Sequence, residues 1–340
     1  MTLTFPRVRR AHDLPELRAW LVHQWREGTT LARVVSDAQW IQRDLPSAEL
    51  WWVEEETCHL LADSAPTLPA DLTLDMHDMP AAAGFAVFAH DLAGIDSDPE
   101  EANLDGMVRV SAIMWGPVHV PLGSGREVVP ALGIGTWSRS VLEDGLSGDE
   151  LRRAGPTLFA LTEERDRHMM RPDGRGNFSA MLHGDVYCYL GRSDWLPGCG
   201  PDEINDGDPY AKSEVAQRSK AEDRRLLACL WQLAKTPIVS MEVQHPPRAA
   251  ARRAQRAGYD PTVRVLTLGR RQYEPSAEPV KHSVDWQHSW IVRPHWRWQA
   301  HGQGRKERKL ILVGPYRKGP ADKPLLGAER VWRVVPPKGG

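Results

Sequence analysis

The residues best suited to chemistry crowd into one stretch near the C-terminus. Trp286, Trp290, Trp296 and Trp298 lie within thirteen residues of one another. Among and just after them come Arg293, Arg297, Arg305, Lys306, Arg308, Lys309, Arg317 and Lys318, and from Arg293 to Lys318 only Glu307 carries the opposite charge. Nucleic-acid surfaces need this combination. Lys and Arg neutralise phosphates and release counterions, aromatic faces stack on unpaired bases, and a guanidinium serves as a phosphate fork or a stacking plane. The residues expected to touch nucleic acid are therefore Arg293, Trp296, Arg297, Trp298, Arg305, Lys306, Arg308, Lys309, Arg317 and Lys318. The pattern is compatible with DNA or RNA and contains no motif for sequence specificity. A plainer reading makes the tryptophans core and the charges a solvated face. Alternation favours that reading for Trp286 and Trp290, which share one strand face.

Other chemistries have weaker support. His288, His295 and His301 are spaced by seven and six, which fits neither a helical HxxxH pair nor a zinc-finger pair, and no cysteine is near. His295 is a candidate general base, with Arg297 and Arg305 binding a phosphate-containing substrate, but no carboxylate stands at a recognisable spacing to orient it. Asp173-Gly174-Arg175-Gly176 matches no phosphate-binding loop. The acidic stretch 91–105 has a DxDxE look through Asp96, Asp98 and Glu100, yet Pro99 interrupts it where a calcium loop must wrap. It reads as a solvated acidic loop. Cys58, Cys188, Cys199 and Cys229 form no CxxC and no disulfide framework, and Cys58 and Cys229 fall in helical patterns as small apolar residues. No metal and no cofactor is expected.

Charge is distributed unevenly along the chain. Residues 1–210 hold 34 Asp and Glu against 17 Lys and Arg, whereas residues 211–340 hold 11 against 26. The formal net charge of -2 conceals this division, and no lysine precedes Lys212. The asymmetry points to a polyanionic partner for the basic part and predicts a contiguous positive surface there. The acidic part is a candidate protein-binding region, or the two parts neutralise each other.

The elements that must position these residues follow from periodicity. Leu17, Trp20, Leu21 and Trp25 form a helical stripe over Leu14–Trp25, and Leu31, Val34, Val35 and Trp40 a second. Ser47–Ala62 is expected to be a third helix, with Ser47 as N-cap and Trp51 and Trp52 inward. Gly84–Ala89, Met107–Trp115 and Val128–Trp137 read as antiparallel strands, and Tyr187–Leu190 as a short strand between long loops. A long helix is predicted from 211 to 235, ended by Pro237. A basic helix opens after Pro246 and Pro247 and closes at Gly258, and Val263–Leu268 is a strand. Alternation over 286–292, with a second strand at Leu310–Val313, predicts a hairpin-like pair with a long basic loop, packed on the 211–235 helix. The sum is an α+β chain: N-terminal helices, a central mainly antiparallel sheet, a long helix and a basic C-terminal β-hairpin-like module. Its segments are 1–65, 66–208 and 209–340. No apolar run is long enough to span a bilayer, and Met1–Arg10 has no apolar region after it to make a secretory signal. A cytoplasmic location is expected.

The stretches LLACLWQLAKTP, PRAAARRAQRAG, HSWIVRPHWRWQAHGQGRKERKLILVGPYRKGP and ERVWRV together resemble a group of uncharacterised proteins from actinobacterial and phage or plasmid sequences. These share an HxWxVxxHWRxQ…GxGRxxR…PYxKG element. The resemblance covers about the last 130 residues and departs at Pro294, where a glycine is expected. It implies a mobile-element context, such as a regulator or replication-associated factor, and transfers no catalytic residue.

Overall fold

The computed structural model describes residues 8–26, 39–73, 76–92, 109–122, 127–139, 182–188, 214–269, 288–320 and 323–324. Two short helices, α1 (Leu14–Arg26) and α2 (Gln39–Asp44), lead into strand β1 (Glu49–Val53) and helix α3 (Glu55–Ser64). Strands β2 (Gly84–Leu92), β3 (Arg109–Leu122), β4 (Glu127–Arg139) and β5 (Leu182–Cys188) come next. Then follow helix α4 (Glu214–Ala234), strand β6 (Val239–Gln244), helix α5 (Arg248–Arg256) and strand β7 (Val263–Leu268). The expected second stripe falls mainly on residues outside the described set, as does the acidic stretch beyond Leu92.

The strands β1 to β7 make one seven-stranded sheet in the order β5-β4-β3-β2-β1-β7-β6. It takes strands from all three sequence segments. β1 runs parallel to both β2 and β7, and the other neighbours are antiparallel. The chain is therefore α+β with a mainly antiparallel sheet.

The structure corrects the reading of Ser47–Ala62 as one helix. Glu49–Val53 is a strand, and the helix starts only at Glu55. The physical reason is two-sided burial. A strand covered on both faces loses polar alternation and reads as an unbroken apolar run, here ELWWV. Trp51 and Trp52 are 1% and 2% exposed, and each enters a different core.

Those two cores lie on opposite faces of the sheet. Trp51, Val53, Ala86, Phe88, Ile113 and Trp115 face one way, where α3 and α4 cover them with Cys58, Leu61, Leu230 and Trp231. Trp51 and Trp115 meet edge to face at 5.4 Å, and Trp115 and Trp231 at 5.7 Å. Gly84 leaves room for this packing, because a Cβ there would run into the Trp115 ring. Leu50, Trp52, Phe85, Val87, Ala112 and Met114 face the other way, under Leu14, Leu17, Leu21, Trp40 and Ile41 of α1 and α2.

Buried Arg18 ties α1 down. Its guanidinium donates to the backbone oxygens of Ala48, at 2.9 Å, and Asp260, and lies 5.3 Å from the Tyr259 ring centroid. Burial lowers its pKa to about 10, against the pull of Asp260. Tyr259 follows α5, whose end is closed by Gly258 at φ +81°, and the Tyr259 N–H donates to Ala254 O at 2.9 Å. α5 packs against α1. Strand β6 went unpredicted. It is an edge strand whose Met241 and Val243 are 36% and 54% exposed, so it lacks the buried face that makes a strand legible. Among the described residues, no helix is long and apolar enough to cross a membrane.

Candidate nucleic-acid interface

Four short strands carry the tryptophan-rich stretch: β8 (Trp290–Val292), β9 (His295–His301), β10 (Glu307–Val313) and β11 (Tyr316–Lys318). β9 pairs with β10 and β8 with β11, all antiparallel. This corrects the expected pairing. Leu310–Val313 lies opposite Trp298 to His295, not opposite 286–292. Pro294 has no N–H to donate and falls between β8 and β9. Alternation resumes after it in HWRWQAH. The expected long basic loop shrinks to a tight turn around Gly302, Gly304 and Arg305, whose φ values are 76°, 68° and 57°. Gly302 also leaves space for the Glu307 carboxylate, 2.8 Å from where its Cβ would stand.

Residues directly opposite in an antiparallel pair share a face. The inner face of the hairpin therefore carries Trp296 with Leu312, Trp298 with Leu310, and Ala300 with Arg308. The outer face carries His295 with Val313, Arg297 with Ile311, Gln299 with Lys309, and His301 with Glu307.

Trp296 is not available for stacking, which corrects its place among the expected contacts. It is 5% exposed and belongs to the core beneath α3 and α4. Its indole N–H donates to Cys229 Sγ at 3.3 Å, and its backbone N–H to Thr67 Oγ1 at 2.9 Å. Cys229 on α4 also lies 3.3 Å from Ser64 Oγ on α3. Burial pushes this thiol up to about 12, with the bonds from Ser64 and Trp296 acting the other way. It is a packing residue with no thiolate at neutral pH. An isolated two-stranded hairpin is marginal in water, so the burial of Trp296 and Leu312 is what fixes this one to the α4 side of the sheet.

Trp298, two residues along the same face, emerges at the open end of that core. It is 36% exposed, and its indole N–H donates to Asp71 Oδ1 at 2.8 Å. The ring is thus held in one orientation with part of its surface in water.

The cations differ in what they touch. Arg293, Arg297, Arg305, Lys306, Arg308 and Lys309 are all exposed. Arg297 reaches Gln299 Oε1 at 3.3 Å across its own strand face. Glu307 lies 3.4 Å from His301 Nδ1, an exposed pairing of small energetic weight. Arg317 braces β11 against β8, donating to Ser289 Oγ at 3.0 and 2.8 Å and to Lys323 O at 3.0 Å. Lys318 Nζ stands 5.8 Å from the Trp290 ring centroid. His295 is half-buried, and its Nδ1 lies 3.1 Å from the backbone oxygen of Arg293, not against a carboxylate. His295 and His301 are six residues apart on one strand, about 20 Å, so they cannot share a metal ion.

The basic residues of α5 and of the hairpin, expected to share one positive surface, lie on different sides of the sheet. α5, with exposed Arg248, Arg252, Arg253 and Arg256, packs on α1 and so lies across the sheet from the hairpin.

Two other groups escaped the sequence reading. Asp223 on α4 is 6% exposed and accepts a hydrogen bond from Thr136 Oγ1 at 3.3 Å. Burial raises its pKa to about 7. Nothing in the sequence around Asp223 separates it from its charged neighbours Glu222 and Arg224. Glu55, His59 and His90 form a second cluster, with donor atoms within 4.8 Å of one another. The i, i+4 spacing of Glu55 and His59 was legible, but His90 comes from another element. No protein-family model and no curated protein matches the chain.

Proposed function

We propose that this protein binds nucleic acid through the exposed rim of the β9–β10 hairpin. The observation that carries the reading is the set of exposed cations on and beside a turn whose scaffold is anchored elsewhere. Arg297, Arg305, Lys306, Arg308 and Lys309 are exposed, while Trp296 and Leu312 hold the hairpin to the core. Fixed strands hold Arg297, Arg308 and Lys309, with Arg305 and Lys306 on the turn between them, and phosphate neutralisation needs no sequence-specific geometry. Trp298 supplies a partly exposed ring, held by Asp71, for an unpaired base. Such rings stack on any base, contributing about 1–3 kcal/mol each. The single-stranded form is therefore the preferred ligand, with DNA and RNA both served by this chemistry. A role as a regulator or replication-associated factor of a mobile element is consistent with the resemblance of the C-terminal stretch.

The test is a fluorescence-anisotropy titration of the full chain with single- and double-stranded oligonucleotides at several salt concentrations. Tighter binding to the single strand, weakening with salt, supports the reading. No binding to either at low salt overturns it.

A further inference from the structure

We propose that Glu55, His59 and His90 form a binding site for a divalent transition-metal ion of the zinc class. The site is distant in role from the hairpin, and neither reading depends on the other.

The donor set is the first argument. Two imidazoles and one carboxylate are a common three-residue complement for zinc, with a fourth position left to water or another ligand. Imidazole nitrogen suits Zn, Cu, Ni and Co, whereas magnesium and calcium take oxygen ligands. The second argument is distance. All three donor atoms lie within 4.8 Å of one another, and His59 Nε2 is 3.8 Å from Glu55 Oε1. Bonds near 2.0–2.1 Å in a tetrahedron put donors roughly 3.4 Å apart. Closing that gap needs only side-chain rotation. Glu55, whose side chain is 69% exposed, is free to make it. The imidazole rings of His59 and His90 are tilted by 49° with centroids 4.7 Å apart, so the two rings are direct neighbours.

The third argument is the scaffold. Glu55 and His59 stand one turn apart on α3, which is fixed by buried Cys58, Leu60 and Leu61. His90 lies near the end of β2, two residues past Phe88, the last residue paired with β1, and within the irregularity between Val87 and Leu92 in the pairing with β3. The helix fixes two of the three ligands, and sites on regular elements keep their geometry better than sites on loops. The cluster also lies beyond the carboxyl end of β1 and near that of β2. The carboxyl ends of parallel strands are where open sheets leave a crevice for ligands. The open side of the cluster, with His59 29% and Glu55 69% exposed, leaves the fourth coordination position accessible.

The experiment uses the full chain, stripped of metal with a chelator and titrated with Co²⁺, followed by visible absorption and by competition with Zn²⁺. The expected result is one equivalent bound with the intense bands of a four- or five-coordinate site. Removing partners outside a ligand shell commonly weakens affinity by about 10–100-fold, so His59→Ala and His90→Ala should each lose at least about 100-fold. Glu55→Gln should lose less. Metal-free thermal melts check that the variants fold. Should His90→Ala fail that check, His59→Ala decides alone, because its side chain is partly in solvent. No Co²⁺ binding by the wild type overturns the proposal. Binding of unchanged affinity in folded His59→Ala also overturns it, and leaves Glu55 and His59 an ordinary i, i+4 helix pair.

Discussion

β1 and β9 each carry two tryptophans, and the two pairs have different fates. Trp51 and Trp52 are adjacent, so a strand sends them to opposite faces, and both are buried. Trp296 and Trp298 are separated by one residue, so they share a face, and only the first is buried. The spacing reports how many sides of a strand are covered. Adjacent tryptophans belong to a strand packed on both sides, where every substitution acts on stability. Alternate tryptophans belong to a strand packed on one side, where the intervening Arg297 and Gln299 remain in water and can act on a ligand.

The largest effect expected from this contrast is in the anchor. Trp296→Ala should cost about 3–5 kcal/mol in chemical denaturation, the range for a buried large aromatic. A cost below about 1 kcal/mol would erase the contrast by showing that the hairpin stands without its core.

A second measurement probes the core side. Asp223 has a folded pKa of about 7 against an ordinary value of 3.8, so between those values the folded state holds a proton that the unfolded state has lost. Its contribution to stability is fully present below about pH 4 and is lost as pH rises toward 7. Wild-type stability should therefore fall relative to Asp223→Asn by at most about 1.4 kcal/mol per pH unit across that window. Parallel pH profiles for the two proteins would show that Asp223 titrates normally.

The smallest effect is on the exposed ring. Trp298→Ala should weaken single-strand binding by about 1–3 kcal/mol without changing the salt slope, because stacking releases few counterions. A loss of stability as large as that of Trp296→Ala would place Trp298 in the core with its neighbour.

Much of this architecture was legible in periodicity. The stripe of Leu17, Trp20 and Leu21 gives α1, and Val263–Leu268 and the basic helix closed by Gly258 appear where expected. β1 was hidden because a strand buried on both faces has the same apolar density as a buried helix. β6 was hidden for the opposite reason, since its exposed face gives no contrast with a loop. In the hairpin, alternation identified strands but not partners. Pro294 moved the pairing one strand along, and only the register shows Trp296 opposite Leu312. The cation cluster needed no structure to find, whereas the placement of the hairpin and α5 on different sides of the sheet did. The Glu55, His59 and His90 cluster spans a helix and a strand 31 residues apart at its last step, and such proximity comes from the parallel pairing of β1 and β2, which no local pattern encodes.

On this view the hairpin's exposed cations bind phosphate, while buried Trp296 and Leu312 hold it in place. The decisive experiment compares the wild type with a variant carrying Ala at Arg305, Lys306, Arg308 and Lys309. Thermal melts should coincide, since exposed substitutions usually change stability by less than about 0.5 kcal/mol each. The slope of log K against log salt for single-stranded oligonucleotide should fall by roughly 0.7 for every phosphate that is no longer neutralised, up to about 3 for all four cations. An equally stable variant with unchanged affinity and slope would contradict this view and remove the turn from the binding surface.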